Sequence, residues 1–216
     1  MHEITKALRP KLLDPAVDNA EKFAALAGAY KGETMFILGC GPSLAEYTPA
    51  ELDKLLTGKL VVALKQALDY VPTQGDYLVL NSWNFRSYQF ERNRPIVIRE
   101  SGRTDPPVFL KGDIELHVPR PSQLALSKRF DDYVFSKQLD RPWGPGVLYE
   151  IGFYMAEHFG VDRVVTLGWD VGVKNSPQMP HFYDTNSPAV LQAIRASREI
   201  EDVAERNKFL HDAGVV

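Results

Sequence analysis

Short, almost unbroken apolar runs alternate with amphipathic stretches along this 216-residue chain. Met35-Phe36-Ile37-Leu38, Leu60-Val61-Val62-Ala63-Leu64, Tyr77-Leu78-Val79-Leu80, Pro95-Ile96-Val97-Ile98 and Arg163-Val164-Val165-Thr166-Leu167 show little polar alternation. A strand that is apolar on both faces is covered on both faces, the mark of a parallel sheet. Ile114-Glu115-Leu116-His117-Val118 alternates instead and reads as an edge strand. Val17, Ala20, Phe23, Ala24, Ala27 and Tyr30 recur at helical spacing and predict a helix ending near Gly32. Thr48-Pro49-Ala50-Glu51 has the form of a capping box, with Thr48 as cap and Glu51 reaching back. Val147, Leu148, Ile151, Met155 and Phe159 predict a helix stopped by Gly160, and Ser187-Pro188 opens a last helix with Val190, Ile194 and Val203 on one face.

Strands alternating with helices give an α/β fold with a mostly parallel sheet and helices on both faces. Residues 1–33 read as a helical segment packed on the core, and residues 34–216 as one nucleotide-binding domain. The stretch 101–121 is rich in proline and glycine, and the pattern over 122–141 is weak.

Composition narrows the function classes. Net charge is −3, from 25 basic and 28 acidic residues, with no basic stripe of the kind that binds nucleic acid. No apolar run reaches the roughly 18 residues that a spanning helix needs. Residues 1–10 are polar and lack a signal-peptide core, so a cytoplasmic location is expected. The single cysteine, Cys40, excludes an internal disulfide and a cysteine-cluster metal site. No two histidines show metal-ligand spacing.

Candidate chemistry gathers at strand ends, where ligands of open α/β sheets bind. After the first strand comes Gly39-Cys40-Gly41-Pro42-Ser43. Glycines let the backbone turn tightly and approach a ligand, and backbone amides beside the Ser43 hydroxyl suit a phosphate. The third glycine of a dinucleotide fingerprint is absent, which argues against plain NAD binding. Lys65 and Gln66 follow the second strand, Asn81 the third, and Asp170 the sixth. Each also has a structural reading, as a turn residue or a solvated side chain.

Lys31-Gly32-Glu33 followed by Phe36-Ile37-Leu38-Gly39-Cys40-Gly41-Pro42-Ser43-Leu44 resembles the opening motif of the MptE-like family. That family is similar to bacterial sialyltransferases and flagellin nonulosonate transferases, and it includes an archaeal hydroxymethylpterin pyrophosphokinase. The resemblance, spanning residues 31–184, implies a Rossmann-like fold. It implies a metal-independent, inverting glycosyltransferase that uses a nucleotide-activated sugar, CMP-nonulosonic acid, with a glycan or protein acceptor. Gly39, Cys40, Gly41, Pro42, Ser43, Lys65, Gln66, Asn81, Arg141, Gly144, Gly146 and Asp170 would then bind the nucleotide. Cys40 stands where the transferases have asparagine, Lys65 where they have the first residue of an Asn-Gln pair, and Pro145 where they have serine. In the His181-Phe182-Tyr183-Asp184 segment, His181 or Asp184 would be the general base. Phosphate departure would be eased by Tyr183, Lys65 or Arg141. Two alternatives stay open. One is a pyrophosphokinase using ATP and Mg²⁺, with Asp170 as metal ligand and Asp69 or Asp76 nearby. The other is a noncatalytic nucleotide-binding module. A homo-oligomer is left open.

Overall fold

The computed structural model describes residues 1–71, 75–80, 90, 94–101, 111–117 and 147–169. Helices α1 (Glu3–Leu13) and α2 (Asn19–Leu26) precede β1 (Thr34–Leu38). A 3-10 helix (Pro42–Glu46) and α3 (Pro49–Leu56) lead to β2 (Leu60–Leu64). The single turn α4 (Ala67–Tyr70), β3 (Tyr77–Leu80), β4 (Ile96–Ser101) and β5 (Ile114–His117) follow. Helix α5 (Val147–Phe159) precedes β6 (Arg163–Leu167). The six strands form one wholly parallel sheet in the order β5-β4-β3-β2-β1-β6. The fold is α/β and Rossmann-like.

Side-chain parity in the strands builds two cores. Met35, Ile37, Leu60, Val62, Leu64, Tyr77, Val79, Ile96, Ile98, Ile114 and Leu116 face α1, α2 and α5. Leu38 and Val61 face Leu44 of the 3-10 helix and Leu52 and Leu56 of α3, while Ala63, Leu78, Leu80 and Val97 gather about Leu68. Every residue of β2 is buried, which is why its sequence is a continuous apolar run. Helix α5 sits close to the sheet because Gly152 presents no side chain: a Cβ there would lie 3.4 Å from Ile37 Cδ1.

Local signals set the helix ends. Thr48 Oγ1 accepts from the Glu51 amide at 3.3 Å, and the Glu51 carboxylate accepts from the Thr48 amide at 2.8 Å, so the capping box is present. Asp18 caps α2 through the Glu21 amide at 2.7 Å. Gly160 ends α5 at φ 73°. Helix α1 lies within the helical segment expected over residues 1–33, although no periodicity is assigned to it. It forms despite Pro10, with Leu12 buried in the core and His2 as its cap. Helix α2 is shorter than the periodicity suggests, ending at Leu26. His158 stands in the last turn of α5. It is buried, stacks on Phe23 at 3.7 Å, and its Nε2 lies 2.7 Å from the Phe23 carbonyl.

The amino ends of the strands are locked by aspartates. Asp76 accepts from the Val61 amide at 2.9 Å and the His2 amide at 2.6 Å, while its own amide donates to the Val61 carbonyl at 2.9 Å. Asp113 repeats the device on β4: its Oδ2 accepts from the Val97 amide and its amide donates to the Val97 carbonyl, both at 2.8 Å. Beside Asp76 a buried hydroxyl chain runs from Thr5 to Tyr30 at 2.9 Å and on to Tyr77 at 2.6 Å, and burial pushes Tyr30 up to about 12. Asn19 covers the exposed side of β5 by pairing with both backbone groups of Glu115, at 2.6 and 2.7 Å. An edge strand paired this way offers less to an intruding chain.

Asp76→Ala is expected to cost about 2–4 kcal/mol, because it leaves two buried amides without an acceptor. Burial raises the Asp76 pKa, so the native state keeps this proton longer than the unfolded chain does. Its contribution is therefore full below the unfolded pKa and falls as pH climbs through the raised value. Urea unfolding across pH should show the gap between wild type and Asp76→Ala widening as pH is lowered toward about 4.

Candidate functional site at the carboxyl edge of the sheet

The chain runs outward from β1 through β2, β3 and β4 to β5, then returns to place β6 on the other side of β1. That reversal makes the β1–β6 boundary a topological switch point, where the loops leaving two neighbouring strands diverge and open a crevice.

The Gly39 loop lies at this boundary. Its Gly39 amide donates to the Leu167 carbonyl at 2.7 Å, and its Gly41 amide to the Gly168 carbonyl at 2.8 Å. Sequence reasoning aims these amides at a phosphate. The structure corrects that: both extend the β1–β6 pairing and are consumed within the protein. Glycine is required at 168 by the same contact. Gly168 lies at φ 66°, and a Cβ there would fall on the Gly39 carbonyl oxygen.

Cys40 is also turned inward. Its thiol is buried with Leu38, Leu44 and Val61, and Sγ donates to the Leu64 carbonyl at 3.1 Å. Burial pushes it up to about 11, which keeps it a neutral, poorly nucleophilic thiol. The side chain thus joins the β1 loop to the end of β2 and offers nothing to a nucleotide. Pro42 begins the 3-10 helix, and half-buried Ser43 follows within it.

Lys65 and Gln66 stand at the end of β2, next to this loop. Lys65 adopts φ 48°, the one non-glycine residue with positive φ among the described residues. Such a conformation costs a side chain about 1–2 kcal/mol. It is held by the Lys65 amide bonding the Val79 carbonyl at 3.1 Å and the Lys65 carbonyl accepting from Leu68 at 3.2 Å. Gln66 Oε1 is shielded from solvent and has no hydrogen-bond partner. Strain and an unsatisfied polar atom in one turn are features that collect at binding sites.

Between the 3-10 helix and the end of β6 lies an open depression of about 230 Å³, lined by Ser43, Glu46, Tyr47, Thr166, Leu167, Gly168 and Trp169. Phe153 of α5 orients Trp169 by an edge-to-face contact at 5.0 Å. Of these residues the sequence singles out Ser43 as a ligand group. Glu46, Tyr47, Thr166 and Trp169 are missed, although two follow the glycine loop directly and Trp169 lies inside Gly168-Trp169-Asp170.

Gly39, Cys40, Gly41, Pro42, Ser43, Lys65 and Gln66 therefore share one edge. Asn81, Arg141, Gly144, Gly146, Asp170, His181, Tyr183 and Asp184 lie outside the described residues. Asp76, a possible neighbour of a metal in the kinase reading, is at the opposite edge, before β3, where it holds His2 and Val61. Asp69 is exposed in α4. Among the described residues no three His, Cys, Asp or Glu side chains gather as a metal site, and no helix is long and apolar enough to cross a membrane.

Comparison with protein-family models, curated proteins and solved structures gives no match. The likeness to the MptE-like family thus rests on the residues quoted for it.

Two outcomes follow from this geometry. Gly168→Ala should destabilise the protein by about 2–3 kcal/mol in denaturant unfolding, since it adds backbone strain to a steric collision. The Cys40 thiol should resist a disulfide reagent at pH 8 in the native protein and react at once in urea; rapid native labelling would refute its inward placement.

Proposed function

We propose that this chain binds a nucleotide-activated sugar across the carboxyl edge of its sheet and transfers the sugar to a hydroxyl acceptor. The observation that carries the proposal is a hydroxyl- and aromatic-lined depression at the β1–β6 switch point, with the strained Lys65-Gln66 turn after β2 on the same edge of the sheet. The finer identity of the donor, a CMP-linked nonulosonic acid, is what the resemblance implies.

In this reading the acceptor oxygen bonds to the anomeric carbon as the bond from that carbon to the CMP phosphate oxygen breaks. CMP leaves with the bonding electrons, and His181 or Asp184 takes the acceptor proton. Lys65 and Arg141 meet the phosphate, and Tyr183 supplies a hydroxyl to it. The closed Gly39 and Gly41 amides shift the burden of phosphate binding to these side chains. Asn81, Gly144, Gly146 and Asp170 complete the nucleotide contacts.

A second reading, a nucleotide-binding module without catalysis, gains from the internal use of both glycine amides. The pyrophosphokinase reading, with ATP and Mg²⁺, loses Asp76 to a structural role at the far edge.

Thermal unfolding with CMP, CTP, ATP and UDP, each with and without Mg²⁺, separates these readings. CMP at a hundredfold its Kd should stabilise the protein by about 2.7 kcal/mol without metal. Stabilisation by ATP only with Mg²⁺ would favour the kinase, and no shift with any nucleotide would sink the nucleotide premise. Lys65→Gly should weaken CMP about tenfold by removing a charge-assisted contact, with no fall in Tm, because glycine relieves the positive φ. A Tm that drops with unchanged CMP affinity would make Lys65 purely structural.

A further inference from the structure

We infer that the depression between the 3-10 helix and β6 is a subsite for a neutral sugar ring bearing a vicinal diol, and that Glu46 is the residue that recognises the diol. The inference deepens the nucleotide-sugar reading and rests on it only for which ligand carries that ring.

Size comes first. At about 230 Å³ the depression falls below the roughly 300 Å³ at which pockets begin to hold a whole drug-sized ligand. It suits one ring of a larger molecule. Charge comes second. Among the described residues the lining includes one carboxylate, on Glu46, and no Lys, Arg or His. A phosphate there would meet like charge. A diol does the opposite, because a carboxylate accepts hydrogen bonds from two adjacent hydroxyls at once. Ser43 and Thr166 add hydroxyls that both donate and accept.

Shape comes third. Tyr47 is one of the two large apolar side chains exposed among the described residues, at 38%. Trp169, beyond the end of β6, lines the same depression and packs edge-to-face on Phe153. Flat aromatic surface beside a carboxylate matches a sugar ring, which presents C–H groups on its faces and hydroxyls around its rim. Buried anchors account for neither position: Glu46 and Tyr47 are exposed, and the adjoining core is filled by Leu44, Leu52 and Leu56.

The test uses saturation-transfer NMR on the full chain with D-ribose, 2-deoxy-D-ribose and inorganic phosphate as probes. Ribose should receive saturation, deoxyribose several-fold less, and phosphate should leave the Trp169 indole resonance unmoved. Glu46→Gln should weaken ribose about tenfold, the loss of a charge-assisted pair. Tyr47→Ala should weaken both sugars alike. Both residues are exposed, so an unchanged Tm certifies that the variants fold. Equal transfer to ribose and deoxyribose, or ribose binding indifferent to Glu46→Gln, would overturn the inference, as would absence of transfer to either sugar. Addition of CMP separates the two claims. Displacement of ribose supports a shared site, whereas ribose binding that survives saturating CMP leaves the sugar subsite standing and removes the nucleotide from it.

Discussion

The Asp76 carboxylate joins three parts of the molecule that are distant in sequence. It accepts the amides of His2 and Val61, and the Asp76 carbonyl takes the amide of Ile96 at 2.9 Å. The amino-terminal helix, β2 and β4 are thereby fixed on β3. A parallel strand begins with backbone groups that have no partner in the ladder, and a short acidic side chain one residue before the neighbouring strand can satisfy them. Asp113 does this for Val97 and is itself gripped by Arg94 at 2.5 and 2.8 Å. Asp162 does the same near β1, accepting from Gly32 at 3.1 Å while its amide bonds the Glu33 carbonyl at 3.0 Å. One edge of the sheet is closed by the protein's own groups.

The opposite edge is built differently. Its two glycine amides are satisfied, yet the adjoining β2 turn holds unfavourable features: Lys65 at positive φ and Gln66 Oε1 unpaired. A clamped amino edge tolerates this, since strain of a few kcal/mol persists only where the surroundings over-determine it. The aspartate clamps lie at the amino edge, and the unfavourable geometry lies at the carboxyl edge, where the site is proposed. The buried Thr5, Tyr30 and Tyr77 hydroxyls fit the same division, because each finds its partner within the protein.

The sequence made the central strands plain because burial on both faces forces an unbroken apolar run, so β2 and β3 fall where those runs lie, while β6 is an apolar run on a half-buried edge strand. The capping box and the Gly160 stop were equally legible, being local chemistry. Helix α1 was hidden by Pro10, whose usual meaning is a break, although Ile4, Leu8 and Leu12 keep helical spacing. The site was readable only as an edge. That the Gly39 and Gly41 amides are spent depends on β6, far along the chain, coming to lie beside β1. That the Cys40 thiol points inward depends on parity carried through an irregular turn. Asp76 directly precedes the Tyr77–Leu80 run, so its place at an amino strand end was legible, whereas its bonds to His2 and Val61 were not. Glu46, Tyr47 and Trp169 carry no motif at all, and their grouping exists only in three dimensions.

The two halves of the proposed site differ in sign, and this orders a ligand between them. The β2 turn carries Lys65, whereas the depression beside β6 carries Glu46, and the glycine loop follows β1 between those two strands. A uniformly anionic ligand would gain at one half and lose at the other. In the proposed reading, a molecule with a charged phosphate and a neutral polyhydroxyl ring would meet a favourable partner at each. Because the loop amides are already bonded, this polarity comes from side chains, and a single substitution on either side shifts it without touching the sheet. The selectivity of the crevice is therefore separable from the stability of the fold, the consequence of anchoring the strands at their amino ends.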